Sequence, residues 1–401
     1  MQLTPERLVA GGEAMARDAD GRVVFVAGAL PGEVVEVEIE RSKKDFARGR
    51  VTAIVEESPR REVPSCAHRR AGCGGCDWMH LRPDAQLDAK VEIVVESLRR
   101  IGRLDAVTVD SLVRRGAAVS PFGYRTTIRV VGGADESLGY RVQGSNDVVE
   151  VTSCPIAHPT LSRLLAVVRA EHGAELTLRT SVATGSVTAV WDRRHRSAIR
   201  GIPPEVHIGD RAWLTERVAG RELRVSAGSF FQSGVQAAEL LVAAVTAAAP
   251  ELATARHAVD AYGGVGLFAV TAMADAGHVT VLESSSSACR DATHNLAGRP
   301  ASVVRGEVTT WSGPAGNGPT APVDVVVADP ARPGLGRPGV AALVAARPAV
   351  LVLVSCDPVS LARDVTLLGD AGYVPESVEV FDLFPNTHHV ETVTRFICRA
   401  P

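Results

Sequence analysis

The stretch "LVLVSCDPVSLARD" sets Cys356 directly after an apolar run and directly before Asp357-Pro358. Such a run reads as a buried strand, and the Asp-Pro pair ends it and opens a helix. Cys356 therefore stands at a strand's carboxyl end, beside helix N-terminal amides that can stabilise a thiolate. A thiolate is a nucleophile, whereas most buried cysteines are inert. Two acidic residues are placed to work with it. Asp329 closes the apolar run of "VVVADPARPGLG", and Glu391 lies in "HHVETVT" near the end of the chain. By position alone Glu391 reads as a solvated strand residue.

A glycine turn supplies the second piece of chemistry. "DAYGGVGLFA" follows an apolar strand and opens a helix, so Gly263, Gly264 and Gly266 let the backbone approach a ligand at the carboxyl edge of a sheet. The next strand, "HVTVLE", ends in Glu283, an acceptor suited to ribose hydroxyls. The pattern G-G-V-G lacks a pyrophosphate fingerprint, and no G-x-x-x-x-G-K-[ST] occurs in the chain. An adenosine ligand without phosphates, S-adenosylmethionine, fits better than NAD or ATP.

A thiolate beside a methyl donor points to one reaction. Carbon-5 of a pyrimidine is a poor nucleophile until a thiolate adds to carbon-6 and makes an enolate. A base must then remove the carbon-5 proton so that the thiolate can leave.

A different thiol chemistry is written in "CAHRRAGCGGCDWMH", where Cys66, Cys73 and Cys76 crowd together in a chain of seven cysteines. Clustered cysteines in a reducing compartment suggest a metal rather than disulfides.

The elements that must position these groups fall into three regions. Residues 1–57 hold short strand patterns such as "VVEVEIE", which suit a small β-barrel. Residues 58–226 carry the cysteine cluster, an amphipathic helix through "DAQLDAKVEIVVESLRRIG", and a β-rich middle domain with a helix in "HPTLSRLLAVVRAEHG". Residues 227–401 alternate helices with apolar strands, the grammar of a doubly wound, largely parallel sheet. The glycine turn is expected to open a helix across "VGLFAVTAMADAG", and "SGPAGNGPTAP" reads as a loop. The fold class is thus α/β, with a Rossmann-like C-terminal domain.

At 401 residues, with 46% hydrophobic and 22% charged residues, the balance is that of a soluble globular protein. The net charge of −3 does not by itself announce a nucleic-acid partner. Basic residues are nonetheless concentrated between Arg41 and Arg61, and Arg69, Arg70, Arg99, Arg100 and Arg103 follow. No run of roughly eighteen uncharged apolar residues appears and the N-terminus lacks a signal-peptide layout, so a cytoplasmic protein without a membrane partner is expected.

Taken in order, these motifs resemble the RNA 5-methyluridine methyltransferases, which use S-adenosylmethionine to methylate uridine in ribosomal or transfer RNA. The segments "CAHRRAGCGGC", "VTSCP", "GSFFQSG", "DAYGGVGLFA", "VVVADPARPGLG", "VSCDPVSLARD" and "HHVETVT" carry the likeness across nearly the whole chain. The resemblance implies that Cys356 is the nucleophile and Glu391 the base. It implies that Gln232, Tyr262, Gly264, Gly266, Glu283 and Asp329 contact S-adenosylmethionine or the target base. It also implies a TRAM-like RNA-binding barrel and structured RNA (rRNA or tRNA) as partner; a monomer is expected. Phe230 and Phe231 are the candidates for base stacking. The chain departs from the pattern at Gly263, where cysteine or serine is common, at Leu267, where asparagine is, and at Glu307, where Asp or Asn is.

Spacing alone leaves the cysteines open between zinc and an iron–sulfur cluster, because only Cys73 and Cys76 form a C-x-x-C pair. The resemblance implies a 4Fe–4S cluster whose fourth ligand is Cys154 of "VTSCP", serving as a structural support near RNA. Two other functions compete with the leading one. A cytidine-5 RNA methyltransferase would carry a second motif cysteine where Asp329-Pro330 stands; a non-catalytic RNA-binding or iron–sulfur sensing protein would not need Cys356 and Glu391.

Overall fold

The computed structural model describes residues 1–192, 198–313 and 322–399. Most of the loop expected over residues 312–322 lies outside them.

The N-terminal unit is a six-stranded sheet in the order Gln2–Leu3, Val34–Ser42, Phe46–Glu56, Val23–Ala27, Ala14–Arg17, Arg7–Leu8. Alternation does its work here: Val35 and Val37 are buried while Glu36 and Glu38 face solvent. Trp78, from the cysteine loop, is fully buried in this unit's core and donates from Nε1 to the Gly12 carbonyl at 2.9 Å.

The middle domain is a second six-stranded sheet, ordered Val148–Glu150, Leu138–Arg141, Thr127–Gly132, Glu175–Thr180, Val187–Trp191, His207–Ile208. Helix Pro159–Val167 covers it through Leu161, Leu164 and Leu165. A hairpin, Trp213–Val218 with Arg221–Ser226, leads on to the last domain.

The large sheet has eight strands, ordered Ala301–Arg305, Val279–Glu283, Ala258–Ala261, Val325–Ala328, Val350–Ser355, Glu391–Cys398, Tyr373–Asp382, Val113–Ala118. The first five are parallel, and the largely apolar sequences of the inner four follow from burial on both faces. Glu391–Cys398 then inserts antiparallel between Val350–Ser355 and Tyr373–Asp382.

Two elements from the stretch between residues 58 and 226 join this layer. Strand Val113–Ala118 forms its edge, parallel to Tyr373–Asp382. Helix Pro83–Arg100 packs Leu87, Val94 and Leu98 into the same core. Its Lys90 is fully buried and pairs with Asp382 at 2.5 Å.

The helix after the glycine turn is shorter than its sequence suggests. It spans only Leu267–Val270, and the chain continues as turns. Thr271 bends its hydroxyl back to the Leu267 carbonyl at 2.6 Å, which competes with helix continuation.

Candidate active site and four-cysteine cavity

Strand register brings the reactive groups together. Ala328 pairs with Leu353 and Ser355 pairs with Thr392, so the strand ends carrying Asp329, Cys356 and Glu391 lie side by side. Glu391 is buried, whereas Cys356 and Asp329 are half-buried. Gln232, also buried, reaches Asp329 with its Nε2 3.4 Å from Oδ2.

The glycine turn lies next to them. Phe230, Phe231, Gln232, Tyr262, Gly263, Gly264, Val265, Leu267, Phe268 and Asp329 line one cavity. Gly264 has φ +55°, and a Cβ built there would meet nothing, so this backbone faces open space. Glu283 grips the turn, accepting from Gly264 N at 3.0 Å and from Ser285 N at 2.6 Å. At Gly263 a Cβ would stand 2.7 Å from Val281 Cγ1 and 2.9 Å from Asp260 Cγ, so the position is closed to a side chain. Leu267 fills the wall with carbon instead of an amide. The loop carrying Gln232 is itself clamped, because Arg179 donates to the Ser226 and Ser229 carbonyls at 2.9 and 2.7 Å. Of the two phenylalanines, Phe230 is 71% exposed and free to stack, while Phe231 is buried.

The site's charges are held back. Burial, then the carboxyls of Glu391 and Asp329, push the Cys356 thiol up to about 12, against the pull of Arg332. Burial raises Asp329 to about 7, and burial with Asp329 nearby holds Glu391 well above the ordinary carboxylate range. The expectation that helix amides favour a thiolate at Cys356 is not met at rest. Asp357 caps helix Pro358–Asp370 itself, accepting from Ser360 N at 2.7 Å, so that amide is already satisfied. Asp260, missed in the sequence, is also fully buried and raised to about 7, chiefly by burial. Its Oδ2 accepts from Ala269 N at 3.0 Å while Oδ1 has no partner. A carboxylate inside the otherwise apolar strand "AVDA" was the available signal. Burial thus raises the site's carboxyls and its thiol together, while Arg332 pulls the thiol the other way.

The second cluster of thiols also assembles. Cys66, Cys73, Cys76 and Cys154 line one cavity of ≈ 150 Å³ together with Arg69, Arg125, Arg129 and Tyr140. Its walls are tied to the middle sheet, since Cys73 bridges Val142 and Gly74 N donates to Arg141 O at 3.0 Å. Among the described residues no three metal-binding side chains close on a single ion position. The four thiols instead surround a shared space. Three arginines and no carboxylate line that space, which suits a group made anionic by its thiolates. The remaining cysteines do other work: Cys289 is buried against the Glu283 carbonyl, and Cys398 is exposed.

Comparison with known proteins bears on this arrangement. Residues 6–52 match the TRAM domain, and residues 321–397 match the tRNA (Uracil-5-)-methyltransferase family. An uncharacterized RNA methyltransferase of Streptomyces avermitilis is 33% identical over 415 residues, covering 96% of this chain and 94% of the relative. The 23S rRNA (uracil(1939)-C(5))-methyltransferase of Halomonas elongata is 30% identical over 433 residues, covering 98% of this chain and 88% of the relative. The chain belongs to the RNA uracil-5 methyltransferase family.

The fold of the family is matched as well. The crystal structure of Pyrococcus abyssi tRNA (uracil-54, C5)-methyltransferase in complex with S-adenosyl-L-homocysteine superposes with a TM-score of 0.74 at 24% identity. The match covers 99% of this chain and 100% of that one, so the fold is shared along the whole length of both. Among the described residues no helix is long and apolar enough to cross a membrane.

Proposed function

We propose that this methyltransferase-family chain moves a methyl group from S-adenosylmethionine to carbon-5 of a uridine in rRNA or tRNA, through a covalent Cys356–pyrimidine adduct. The observation that carries the reading is the adjacency of Cys356 and Glu391 at the ends of paired strands, with Asp329 on the next strand. The names of the relatives, rRNA and tRNA uracil-5 methyltransferases, agree with it.

Gln232, Tyr262, Gly264, Gly266, Glu283 and Asp329 form the seat for the methyl donor and the target base. The open space in front of Gly264 and the Gln232 and Asp329 side chains in the same cavity wall fit a polar ligand at that seat. S-Adenosylmethionine, when bound, supplies an electrophilic methyl and a sulfonium charge that favours the ionised forms of Asp329, Glu391 and Cys356.

Cys356 adds its sulfur to carbon-6, and the electrons of the 5,6 double bond move into the enolate. Carbon-5 takes the methyl group as the donor's sulfur–methyl bond breaks, leaving S-adenosylhomocysteine. Glu391 then removes the carbon-5 proton, the double bond re-forms, and the Cys356–carbon bond breaks. Each cycle releases one proton. A buried carboxylate with high proton affinity suits that last step.

The target uridine leaves its stack to reach Cys356, and Phe230 stands ready to stack on a base. Residues 1–57 and the Arg69–Arg70 loop hold the RNA. Residues 58–226 support them with a 4Fe–4S cluster on Cys66, Cys73, Cys76 and Cys154. Residues 227–401, completed by strand Val113–Ala118 and helix Pro83–Arg100, carry out the transfer. The protein works as a monomer in the cytoplasm, where its thiols stay reduced.

Incubation with methyl-labelled S-adenosylmethionine and total RNA from cells lacking the modification tests this. Label mapped to carbon-5 of a uridine supports the reading. Label on cytidine, or none in RNA, overturns it.

A further inference from the structure

We propose that Asp77 and His388 are positioning residues for the Cys356 thiol, acting through His389 and Arg332. The inference rests on the reading of Cys356 as nucleophile and adds the parts that set its charge environment.

Asp77 directly follows Cys76, one of the four thiols around the cavity. Its carboxylate holds His388 twice. Oδ1 accepts from the His388 backbone N–H at 3.2 Å, and Oδ2 lies 2.5 Å from ring Nδ1. The pair is sheltered, with side chains 14% and 29% exposed. Gly12 of the N-terminal sheet seals it, for a Cβ there would come within 2.7 Å of Asp77 Oδ2 and 2.8 Å of His388 Cβ. Trp78 N donates to the Asn386 carbonyl at 3.0 Å, fixing the same two segments a second time.

From His388 the contact passes to the reactive end of the sheet. The His388 and His389 rings lie 4.2 Å apart at 60°. Phe384 meets the His389 ring edge-on at 5.9 Å, so the imidazole is braced from both sides. Arg332 Nη2 lies 3.3 Å from His389 Nδ1 and 3.0 Å from Nε2, so the guanidinium rests over the imidazole face. Burial, with the neighbouring His388 and Arg332, pushes His389 down to about 3, so a neutral ring face meets the guanidinium without charge repulsion.

Arg332 is exposed and sits on the loop leaving strand Val325–Ala328, next to the strand that ends before Cys356. Among the groups facing Cys356, the Glu391 and Asp329 carboxyls oppose a thiolate and Arg332 favours one; Asp357 is turned to its own helix. An exposed arginine samples many rotamers, and its effect on a nearby thiol falls with distance. The imidazole of His389 selects one placement. Asp77 and His388 hold that imidazole in position.

The test reads Cys356 directly. Full-length protein without RNA or donor is treated with iodoacetamide across a pH series, and modification of the Cys356 peptide is timed by mass spectrometry. Arg332→Gln and Asp77→Ala should both displace the Cys356 profile to higher pH, slowing alkylation about threefold to tenfold at a fixed mildly alkaline pH. Asp77→Asn, which keeps an acceptor for His388, should restore most of the wild-type rate. In turnover, Asp77→Ala should lower kcat with KM for RNA little changed.

If Asp77→Ala does not fold, His389→Ala removes the ring on which the guanidinium rests, and should shift the profile as Arg332→Gln does. A wild-type profile in Asp77→Ala or in His389→Ala overturns the proposal. Failure of the underlying reading would look different: Cys356→Ala would still methylate RNA, whatever the alkylation profiles show.

Discussion

Thr392 donates its hydroxyl to the Ser355 carbonyl at 3.1 Å, across an antiparallel pair at the heart of the large sheet. One residue further along each strand stand Cys356 and Glu391. The hydrogen bond fixes the register, and the register fixes the nucleophile beside the base.

Replacing Glu391 with Gln should separate adduct formation from release. Carbon-6 addition and methylation need no base on carbon-5, but elimination does. The variant is expected to accumulate a protein–RNA adduct stable on denaturing gels, with turnover down about 10²- to 10⁴-fold. Cys356→Ala should show neither adduct nor product.

Asp260 links the site to pH. Its folded carboxyl is raised to about 7, above the unfolded value. The stability that it contributes is complete below the unfolded pKa and is lost as pH rises through 7, a span on the order of 4 kcal/mol. Chemical denaturation of donor-free protein between pH 4 and 8 should therefore show a fall with pH that is smaller in Asp260→Asn. Parallel curves for the two proteins would contradict the assignment.

Gly263→Ser adds a Cβ that meets Val281 Cγ1 at 2.7 Å. It should destabilise the protein by about 1–3 kcal/mol through overpacking, measured by thermal melts. Gly264→Ala faces open space but sits at φ +55°, and should cost about 1 kcal/mol from backbone strain alone.

Lys90 and Asp382 form a fully desolvated pair between helix and sheet. Lys90→Met strands a buried carboxylate and should cost about 3–5 kcal/mol, whereas the double change Lys90→Met with Asp382→Leu should recover much of it. Denaturant melts of the three variants decide this.

Cys154→Ser removes one wall of the cysteine cavity. Protein purified without oxygen should show a broad absorbance near 400 nm that this variant loses along with its iron. One zinc per chain in the parent, with no such band, would favour the tetrahedral alternative.

Much of the fold was legible because burial writes itself into short apolar strands. "VVVADP" and "LVLVSCDP" announce parallel strands and their functional ends in the same few letters. Gln232, Tyr262, Gly264, Glu283 and Asp329 followed from motif and position, and the structure brings them to one edge of the sheet. What sequence did not disclose depends on distant approach. Asp77 and His388 are separated by most of the chain, and neither has a local pattern that names the other. The closed state of Gly263 is equally invisible, since it depends on Val281 of the next strand. The resting thiol also escaped the sequence, because a helix start promises free amides until its own cap residue claims them.

Strand Val113–Ala118 is hydrogen-bonded to Tyr373–Asp382, which the ribosome delivers more than two hundred and fifty residues later. A piece synthesised early must wait, unpaired, for a partner made much later. Interrupted translation thus leaves a fragment with an unfinished β-edge, and excising residues 227–401 exposes the long strand Tyr373–Asp382 to any other chain that can pair with it. The methylating portion is continuous in space but not in the gene, so any attempt to borrow it as a module must carry this early strand along.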